Sequence, residues 1–402
     1  MGSLLTSMGD LHHFLQRLER ARDLIRGSGM KEALVLHHDE ADGLSSAALA
    51  KLAVEHLGLK TRLICIDKLY PEVVAGVEQW PARVIVYSDI GSGHIDWLIK
   101  YNVGKNIIIT LDHHDTIEST DPSVLNLNPE LDSFSGETEA SSATVAYMFG
   151  KVVDSELRRF AHLALVGSME VPGEPRGLNE MVVKEVEEGK LARRSGRDFR
   201  INVAGASLAR SRLVTVLNVL GSVGYYEDGP RMGVDACIDG FDKKVIELSD
   251  QLEEKRKTAN KRMLAEVQAG GLSQGKMIQW FHAHDNYRGM SGKVVGSFCS
   301  YLRYQRPVNP VKYLIGMMNV PAEIPGWGSL PAPLVKVSGR APEPLARMIE
   351  KGDRPPLSRI LSNACSQVGG FGDGHSVAAS GVFPEGAEER FLEALERKSS
   401  SR

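Results

Sequence analysis

Three short polar segments of the chain combine carboxylate and imidazole side chains. They read HHDEADG at residues 37–43, SDIG at 88–91 and DHHD at 112–115. Mixed sets of Asp, Glu and His are suitable ligands for Mn²⁺ or Mg²⁺, and carboxylates packed together would repel one another unless cations lay among them. Two bridged cations could hold a phosphate, generate hydroxide from water and stabilise an in-line displacement. The residue types therefore indicate metal-assisted chemistry at a phosphate.

Four apolar runs could bring these polar segments together. The runs at 33–36, 63–66, 84–87 and 107–110 are continuously hydrophobic, which favours a parallel sheet covered on both faces. Residues 44–57 have the spacing and alanine content of a helix, and strand–helix–strand alternation predicts a doubly wound α/β domain. The polar segments follow the first, third and fourth runs, where ligands of such sheets bind. In the alternative interpretation they are solvated loop charges and helix caps, with Asp42 as an N-cap.

The rest of the chain divides into a helical part and a second set of strands. Helices are expected near 141–149 and 156–166, and a long amphipathic helix at 242–268 ends before Gly270 and Gly271. Strand-like runs follow at 276–281, 312–317 and 334–337. We therefore expect an α/β domain of residues 1–190, a helical connector of 191–270 and a smaller α/β domain of 271–402.

Composition and charge restrict the class of protein. Of the 402 residues, 42% are apolar and 25% are charged, as in globular proteins outside membranes. No run approaches the ~18 apolar residues of a membrane helix, and the N-terminal pattern is that of an amphipathic helix rather than a signal peptide. We expect a cytoplasmic protein whose four widely spaced cysteines are buried thiols. The net charge of -3 gives no general attraction to nucleic acid, so a polyanion would bind through local basic patches or metal ions.

Taken in order, the motifs resemble those of the DHH phosphoesterases, and LGSVGYYEDGP at 220–230 is similar to a stretch of archaeal RecJ-like exonucleases. HDEADGLSS at 38–46, SDIG at 88–91 and LDHH at 111–114 resemble the first three motifs of the family. NLNP at 126–129 and SSATVAY at 141–147 also fit its course. GGFGDGHSVAASG at 369–381 resembles the glycine-rich signature of the DHH-associated C-terminal domain, and VSGR at 337–340 resembles the strand that precedes it. The resemblance thus covers both ends of the chain.

The resemblance implies a role for each matching residue. One metal ion would be held by His38, Glu40 and Asp89, and a second by Asp42, Asp89 and His113. His114 would contact the scissile phosphate or assist proton transfer, and Asp112 would orient the histidines. In the C-terminal domain the backbone of a glycine-rich segment would approach a phosphate, and two cationic side chains would bind it or the terminal nucleotide. These substrate-binding residues are Gly369, Gly370, Gly372, Gly374, His375 and Arg340.

Two departures from the family pattern leave alternatives open. The family has Asp where Glu40 stands, and Asp39 could replace it in a shifted register. The fourth motif of the family ends Gly-Thr/Ala-x-x-Asp, whereas this chain has GSMEV at 167–171, with Val171 at the Asp position. Glu170, one residue earlier, is the candidate replacement ligand. For the glycine-rich segment, the alternative to a phosphate site is a plain turn.

Two further groups of residues have both a functional and a structural interpretation. His282, His284 and Asp285 could form another metal site or a solvated loop. Tyr225 and Tyr226 could stack on bases or pack in the core.

The activity implied is Mn²⁺- or Mg²⁺-dependent hydrolysis of phosphodiester bonds in single-stranded DNA or RNA, with the strand threaded between two domains. One alternative is a phosphodiesterase for short oligonucleotides or cyclic dinucleotides. The other is a catalytically weak scaffold in a replication complex, as in related proteins that keep the fold. The expected partners are accordingly single-stranded nucleic acid or short oligonucleotides, together with replication or repair proteins.

Overall fold

A computed structural model describes residues 2–203 and 206–400 of the chain. It divides into two compact units. The first comprises residues up to 221 together with 228–250 and 325–327, and the second comprises 222–227, 251–324 and 328 onwards. Residue 1 and residues 401 and 402, which end the predicted domains, lie outside the described residues.

The first unit contains the parallel sheet that the apolar runs predict. Its strands are β1 (Glu32–His37), β2 (Lys60–Cys65), β3 (Val84–Ser88), β4 (Ile107–Leu111) and β5 (Val124–Asn126), in the order β2-β1-β3-β4-β5. All four pairings are parallel. His37 lies beside Ser88, and Ser88 beside Leu111. The three polar segments therefore leave neighbouring strands at the same level.

Helices cover this sheet and continue into a small antiparallel sheet. They are α1 (Gly2–Gly27), α2 (Ala41–His56), α3 (Pro71–Glu78), α4 (Ile95–Asn102), α5 (Ser142–Val153), α6 (Ala161–Gly167) and α7 (Gly177–Glu188). Strands β6 (Ala192–Ser195), β7 (Asp198–Val203) and β8 (Ala206–Ala209) pair in sequence order. Helices α8 (Arg210–Asn218) and α9 (Gly229–Asp239) follow, and α10 (Lys243–Gly270) runs from the first unit into the second.

Helix α2 is the central helix of this unit. Its first ten residues are all buried, and it packs against α5, α6 and α9. Small side chains such as Ala47 and Ala50 allow the neighbouring helices to approach closely. Because α2 begins at Ala41, within the first polar segment, this packing also determines where that segment lies.

Three local expectations differ from the structure. Residues 156–166 form one helix in the sequence pattern, but Ser155–Phe160 is a 3₁₀ helix and α6 begins only at Ala161. The side chain of Asp154 accepts a hydrogen bond from the backbone N–H of Glu156 and starts this tighter turn. The range predicted as a helical connector begins with the sheet β6–β8. Strand β5 was not predicted, because a three-residue edge strand carries little periodicity.

The second unit is built around a six-stranded sheet. Its strands are β9 (Ser273–Gln274), β10 (Ile278–His282), β11 (Tyr313–Val320), β14 (Leu334–Arg340), β15 (Phe371–Gly374) and β16 (Ala378–Pro384), in the order β15-β16-β14-β11-β10-β9. A separate hairpin pairs β12 (Glu323–Ile324) with β13 (Gly328–Ser329). The helices are α11 (Lys293–Leu302), α12 (Glu343–Glu350), α13 (Leu357–Gln367) and α14 (Glu388–Ser400).

The core of each unit agrees with the apolar pattern of its sequence. On α10 the predicted apolar face supplies buried Leu252, Ala259, Met263 and Val267. All four cysteines are buried thiols, as expected, and the described residues form no disulfide. No helix formed by the described residues is long and apolar enough to cross a membrane.

Glu78, the last residue of α3, is a buried carboxyl that makes stability depend on pH. Its Oε1 accepts a hydrogen bond from the Tyr87 hydroxyl (3.1 Å), and its Oε2 has no partner among the described residues. Burial raises the pKa of Glu78 from 4.5 to about 8. Between these values the folded protein binds a proton that the unfolded chain has lost, so stability decreases as pH rises.

In Glu78→Gln this part of the pH dependence should be absent. Urea unfolding between pH 5 and pH 8 should show a smaller loss of stability than in the wild type, by up to about 1.4 kcal/mol per pH unit. Glu72→Gln, an exposed change in the same helix, is the matched control. Equal pH slopes in the wild type and Glu78→Gln would contradict the assignment.

Candidate active site

The first cluster surrounds His38, directly after β1. Its Nδ1 lies 3.6 Å from Glu40 Oε2 and 3.5 Å from Asp89 Oδ2, and its Nε2 lies 3.6 Å from Asp39 Oδ1. Glu40 is therefore on the same side of the ring as Asp89, whereas Asp39 is on the other side. This arrangement favours Glu40 over Asp39 as the partner of His38 and Asp89.

The imidazole of His113, after β4, is held in one tautomer. Its Nδ1 lies 2.7 Å from the carbonyl of Gly136, which can only accept, so Nδ1 carries the proton. The unprotonated Nε2 then faces Asp42 Oδ2 (3.7 Å) and Asp89 Oδ1 (3.9 Å). Gly136 has no room for a side chain, because a Cβ there would lie 1.7 Å from the carbonyl oxygen of His113.

Asp42, in the first turn of α2, is completely buried and faces the start of another helix. Its Oδ2 accepts from the backbone N–H of Ser142 and its Oδ1 from that of Ala143, both at 2.8 Å. These are unpaired donors of the first turn of α5, which carries a partial positive charge. Burial, followed by the charge of Asp89, nevertheless raises the pKa of Asp42 to about 6.

Asp112 and His114 form a close pair beside these residues. Asp112 Oδ1 lies 2.7 Å from His114 Nδ1 and also accepts from the backbone N–H of His113 (2.8 Å). Burial opposes ionisation of Asp112, but the charge and hydrogen bond of His114 prevail and lower its pKa. Burial likewise opposes protonation of His114, and Asp112 outweighs it and raises the pKa of His114 well above the usual value. The His114 side chain is 54% exposed, so its outer edge can meet a ligand.

A buried polar network holds Asp112 and His114 in position. Ser92 donates its backbone N–H to Asp112 Oδ2 (2.9 Å) and its hydroxyl to Asn126 Oδ1 (2.7 Å). Asn128 donates to Ser92 Oγ (2.9 Å) and to the carbonyl of His114 (2.7 Å). These three residues lie beside or within sequence motifs, but the motifs predicted no role for them. The Asn-x-Asn-Pro segment at the end of β5 was the feature of the sequence that could have indicated this network.

Asp89 lies close to both His38 and His113 and has an unusual backbone conformation. Its φ is +64°, a left-handed conformation that costs most side chains free energy. Its Oδ1 is buried and has no hydrogen-bond partner among the described residues, although His113 Nε2 and His114 Nδ1 are each 3.9 Å away. Burial raises its pKa, but contact with His38 and the charge of His114 outweigh that effect and lower it.

These side chains fit a divalent cation. Two atoms that each bind one such ion at about 2.1 Å lie no more than about 4.2 Å apart. The separations around Asp89, from 3.5 to 3.9 Å, satisfy this limit. One ligand atom from each of Asp89, His113 and His114 lies within 4.8 Å of the others, so this trio could hold an ion after a small movement of the side chains. Because Nδ1 of His114 is bound to Asp112, the geometry favours His113 as the ligand.

Glu170, the candidate replacement ligand, lies beside the site. It ends a 3₁₀ turn after α6, and its Oε1 is 3.4 Å from the backbone nitrogen of Asp42. Val171, at the position where the family has Asp, is buried. Glu170 thus contacts the start of α2, and its role as a metal ligand stays a prediction.

The residues predicted to bind substrate all lie in the second unit. Arg340, at the end of β14, donates from Nε to Ser300 Oγ (2.9 Å) and from Nη1 to the carbonyl of Gly339 (2.8 Å). His375 is exposed and follows the glycine-rich strand β15. The structure gives Arg340 a fixed position and leaves the phosphate-binding role of both residues a prediction.

The glycine-rich segment has a packing explanation of its own. A Cβ at Gly370 would lie 2.0 Å from the carbonyl of Val382, and one at Gly372 would lie 2.8 Å from that of Ser380. Gly369 and Gly374 have φ of +83° and +135°. Close pairing of β15 with β16 therefore requires these glycines whether or not the segment also binds a phosphate.

The two remaining candidate groups have structural explanations. The rings of His282 and His284 stack at 4.1 Å, and His282 Nδ1 accepts the backbone N–H of His284 (2.9 Å), which closes a turn. Tyr225 is buried and packs edge-on against Tyr226 at 4.9 Å.

Comparison with known proteins identifies the fold. No model of a known protein family matches the chain. An uncharacterized protein of Methanocaldococcus jannaschii is 28% identical over 162 residues, which is 39% of this chain and 36% of that protein. The matched segment thus spans about a third of the relative.

Solved structures match almost the whole chain. RecJ from Thermus thermophilus in complex with Mn²⁺ has a TM-score of 0.62 at 18% identity, covering 96% of this chain and 55% of RecJ. The DHH domain of a member of a family of ribosomal proteins has a TM-score of 0.62 at 15% identity, covering 97% and 91%. CDC45 from Entamoeba histolytica has a TM-score of 0.53 at 9% identity, covering 98% and 99%. The chain therefore has the RecJ-like fold of DHH-domain proteins.

Replacing Asp89 by Asn should abolish metal binding while keeping the fold. Asn tolerates a left-handed φ, so the backbone is preserved and only the charge is removed. Mn²⁺ at about 100 times its dissociation constant should stabilise the wild type by about 2.7 kcal/mol. Thermal unfolding with and without Mn²⁺ should show no such increase in Asp89→Asn. Asp96→Asn, on the exposed face of α4, should behave as the wild type; an unchanged shift in Asp89→Asn would refute the site.

The contact between α6 and Asp42 predicts a second effect. A Cβ at Gly167 would lie 2.2 Å from Asp42 Oδ1 and 2.5 Å from the Cβ of Ala143. Gly167→Ala should therefore destabilise the protein by about 2 kcal/mol and weaken its response to Mn²⁺. Gly150→Ala in α5, where the nearest atom is 3.5 Å away, should be neutral or stabilising. Chemical denaturation of both variants measures the difference, and equal stabilities would be inconsistent with the crowding.

Proposed function

We propose that the protein is a metal-dependent phosphodiesterase that degrades single-stranded DNA or RNA from one end. The observation that carries the proposal is the convergence of Asp42, Asp89 and His113 at the ends of three neighbouring parallel strands, with an unpaired buried oxygen on Asp89. Such a site has little structural purpose, because buried like charges destabilise a fold unless a cation lies between them. The RecJ-like fold supports the same interpretation.

The side chains would divide between two ions of Mn²⁺ or Mg²⁺. His38, Glu40 and Asp89 would hold the first, and Asp42, Asp89 and His113 the second, so that Asp89 bridges them. Bound ions would supply Lewis-acid activation of a water and of the phosphate. RecJ from Thermus thermophilus, which has this fold, has been solved in complex with Mn²⁺ and in complex with Mg²⁺.

His114 would act on the phosphate directly, and Asp112 would orient it. Asp112 accepts a hydrogen bond from Nδ1 of His114, which orients the ring and favours its protonated form. The exposed edge of His114 would then donate a hydrogen bond to a phosphate oxygen and, in the transition state, a proton to the leaving group. Ser92 and Asn128 would hold this pair in place through the buried network.

The substrate-binding residues belong to the same proposal. Arg340 and His375 would bind the phosphate or terminal nucleotide, with the backbone of Gly369, Gly370, Gly372 and Gly374 beside it. Their support is the family resemblance and, for Arg340, a guanidinium fixed by Ser300.

Two observations favour other functions. The slight negative charge of the chain favours short oligonucleotides or cyclic dinucleotides as substrates. Val171, which replaces a ligand of the family, favours a weakly active scaffold, and CDC45 shares the fold. A scaffold would be expected to bind replication or repair proteins.

Hydrolysis of end-labelled single strands in Mn²⁺ tests the three functions together. Long and very short DNA and RNA strands should be compared with the double variant His113→Ala/His114→Ala, which should lose at least about 100-fold in rate. His12→Ala, an exposed histidine on α1, is the control. Progressive shortening of long strands supports the exonuclease, and cleavage of short ones alone supports the oligonucleotide enzyme. No turnover by a folded protein leaves the scaffold.

A further inference from the structure

One stretch of the second unit has an unusual charge. Residues 286–322 contain five Lys or Arg and no Asp or Glu over 37 residues, whereas the whole chain has 48 basic and 51 acidic residues. A segment this long without a carboxylate is locally cationic in an otherwise slightly acidic protein. It includes α11, the following loop and β11.

The same stretch exposes aromatic surface. Tyr301 is 48% exposed, Tyr304 is 67% exposed and Val311 is 46% exposed. They are half of the six large hydrophobic residues that are exposed in the described part of the chain. Tyr301 and Tyr304 belong to one turn, since the backbone N–H of Tyr304 donates to the carbonyl of Tyr301 (3.4 Å). Neighbouring exposed apolar groups on a folded protein mark an interaction surface.

The aromatic and cationic groups are in direct contact. The guanidinium of Arg303 lies 4.7 Å from the ring centre of Tyr304, and its Nη2 donates to the Tyr304 hydroxyl (2.6 Å). Arg303 and Arg306 form no ion pair with any described residue. We call Tyr301, Arg303, Tyr304 and Arg306 the tyrosine patch.

The loop after α11, which carries Arg303, Tyr304 and Arg306, is anchored to the sheet. Gln279, completely buried on β10, donates to the carbonyl of Asn309 (2.7 Å) and accepts the backbone N–H of Asn309 (2.8 Å). Val308 is buried beside it. Because the loop is fixed before any ligand binds, little conformational entropy is lost on binding.

We propose that the tyrosine patch is a binding surface for single-stranded nucleic acid, formed by residues other than those of the hydrolytic site. Bases would stack on Tyr304 and Tyr301, and Arg306 would contact the backbone phosphates. The proposal takes the class of ligand from the proposed function but does not require hydrolysis. Stacking on exposed rings is tolerant of sequence, as a nuclease that shortens any strand requires.

Unpaired bases suit this surface better than a duplex or a protein segment. In a duplex the faces of the bases are stacked on one another and cannot contact Tyr304. The patch offers cations and flat rings, which match phosphates alternating with bases. Because the net charge of the chain is -3, attraction to the phosphates of a nucleic acid would have to come from a local cationic surface such as this one.

Binding of fluorescent oligo(dT) to the full-length protein in EDTA tests the proposal, because the strand then stays intact. Tyr304→Ala should weaken binding about tenfold through loss of stacking, and Tyr304→Phe should restore most of it. Tyr101→Ala, which removes a tyrosine from α4 in the first unit, is the control.

Salt dependence tests the phosphate contact independently. The slope of log K against log salt concentration should fall in magnitude by about 0.7 in Arg306→Gln, as expected for one lost contact to a single strand. Arg397→Gln removes the same charge from α14, where it faces Glu393, and should leave the slope unchanged.

The outcomes separate this proposal from the proposed function. Weaker binding in Tyr304→Ala and a smaller slope in Arg306→Gln support the patch even if the protein hydrolyses nothing. Affinity and slope equal to those of the wild type in both variants would overturn it even if the protein is an active nuclease. The patch would then be assigned to an acidic protein partner.

Discussion

Two carboxylates, Asp42 and Asp89, lie buried beside each other, and much of the first unit serves to make that arrangement possible. The start of α5 directs two backbone N–H groups at Asp42, and His38 and His113 face Asp89. Helix α6 approaches without a side chain at Gly167, because Asp42 occupies the space that a Cβ would need. The packing of helices around α2 and the position of the buried charge of Asp42 therefore depend on each other. A cation between the carboxylates would reduce their repulsion, and so would protonation of Asp42, whose pKa is raised to about 6.

The buried network behind the site explains why the positions of Asp112 and His114 are well defined. Ser92 follows β3, whereas Asn126 and Asn128 lie together at the end of β5, and their side chains hydrogen-bond to Ser92 and to the carbonyl of His114. Buried polar groups that are fully hydrogen-bonded specify one arrangement, whereas partly bonded ones would allow several. The network thus ties the geometry of the proposed phosphate-binding pair to the ends of β4 and β5.

The sequence predicts the part of the site that is local along the chain. Each polar segment directly follows a buried strand, so periodicity and motif order together place His38, Asp89 and His113 near one another. Contacts between distant segments escape such reasoning: Gly136 supports His113 from 23 residues away, and Asn128 reaches Ser92 across 36. The 3₁₀ turn before α6 escapes it as well, because it depends on a cap at Asp154. In the sheet β6–β8, strand β6 is mostly charged and has no apolar alternation. Strand β7 does alternate, with Phe199, Ile201 and Val203 buried, and this was an available signal for a strand.

His113 and His114 show how adjacent identical residues acquire different chemistry. Their neighbours along the chain are nearly the same, but the Nδ1 of His113 faces a neutral carbonyl and that of His114 faces the carboxylate of Asp112. A carbonyl accepts the hydrogen bond from Nδ1, so in the neutral ring the lone pair of His113 is on Nε2, where a cation could bind. A carboxylate favours the protonated ring, so His114 is suited to donate to a phosphate. The division between metal ligand and proton donor therefore depends on Gly136 and Asp112, neither of which needs to contact the substrate.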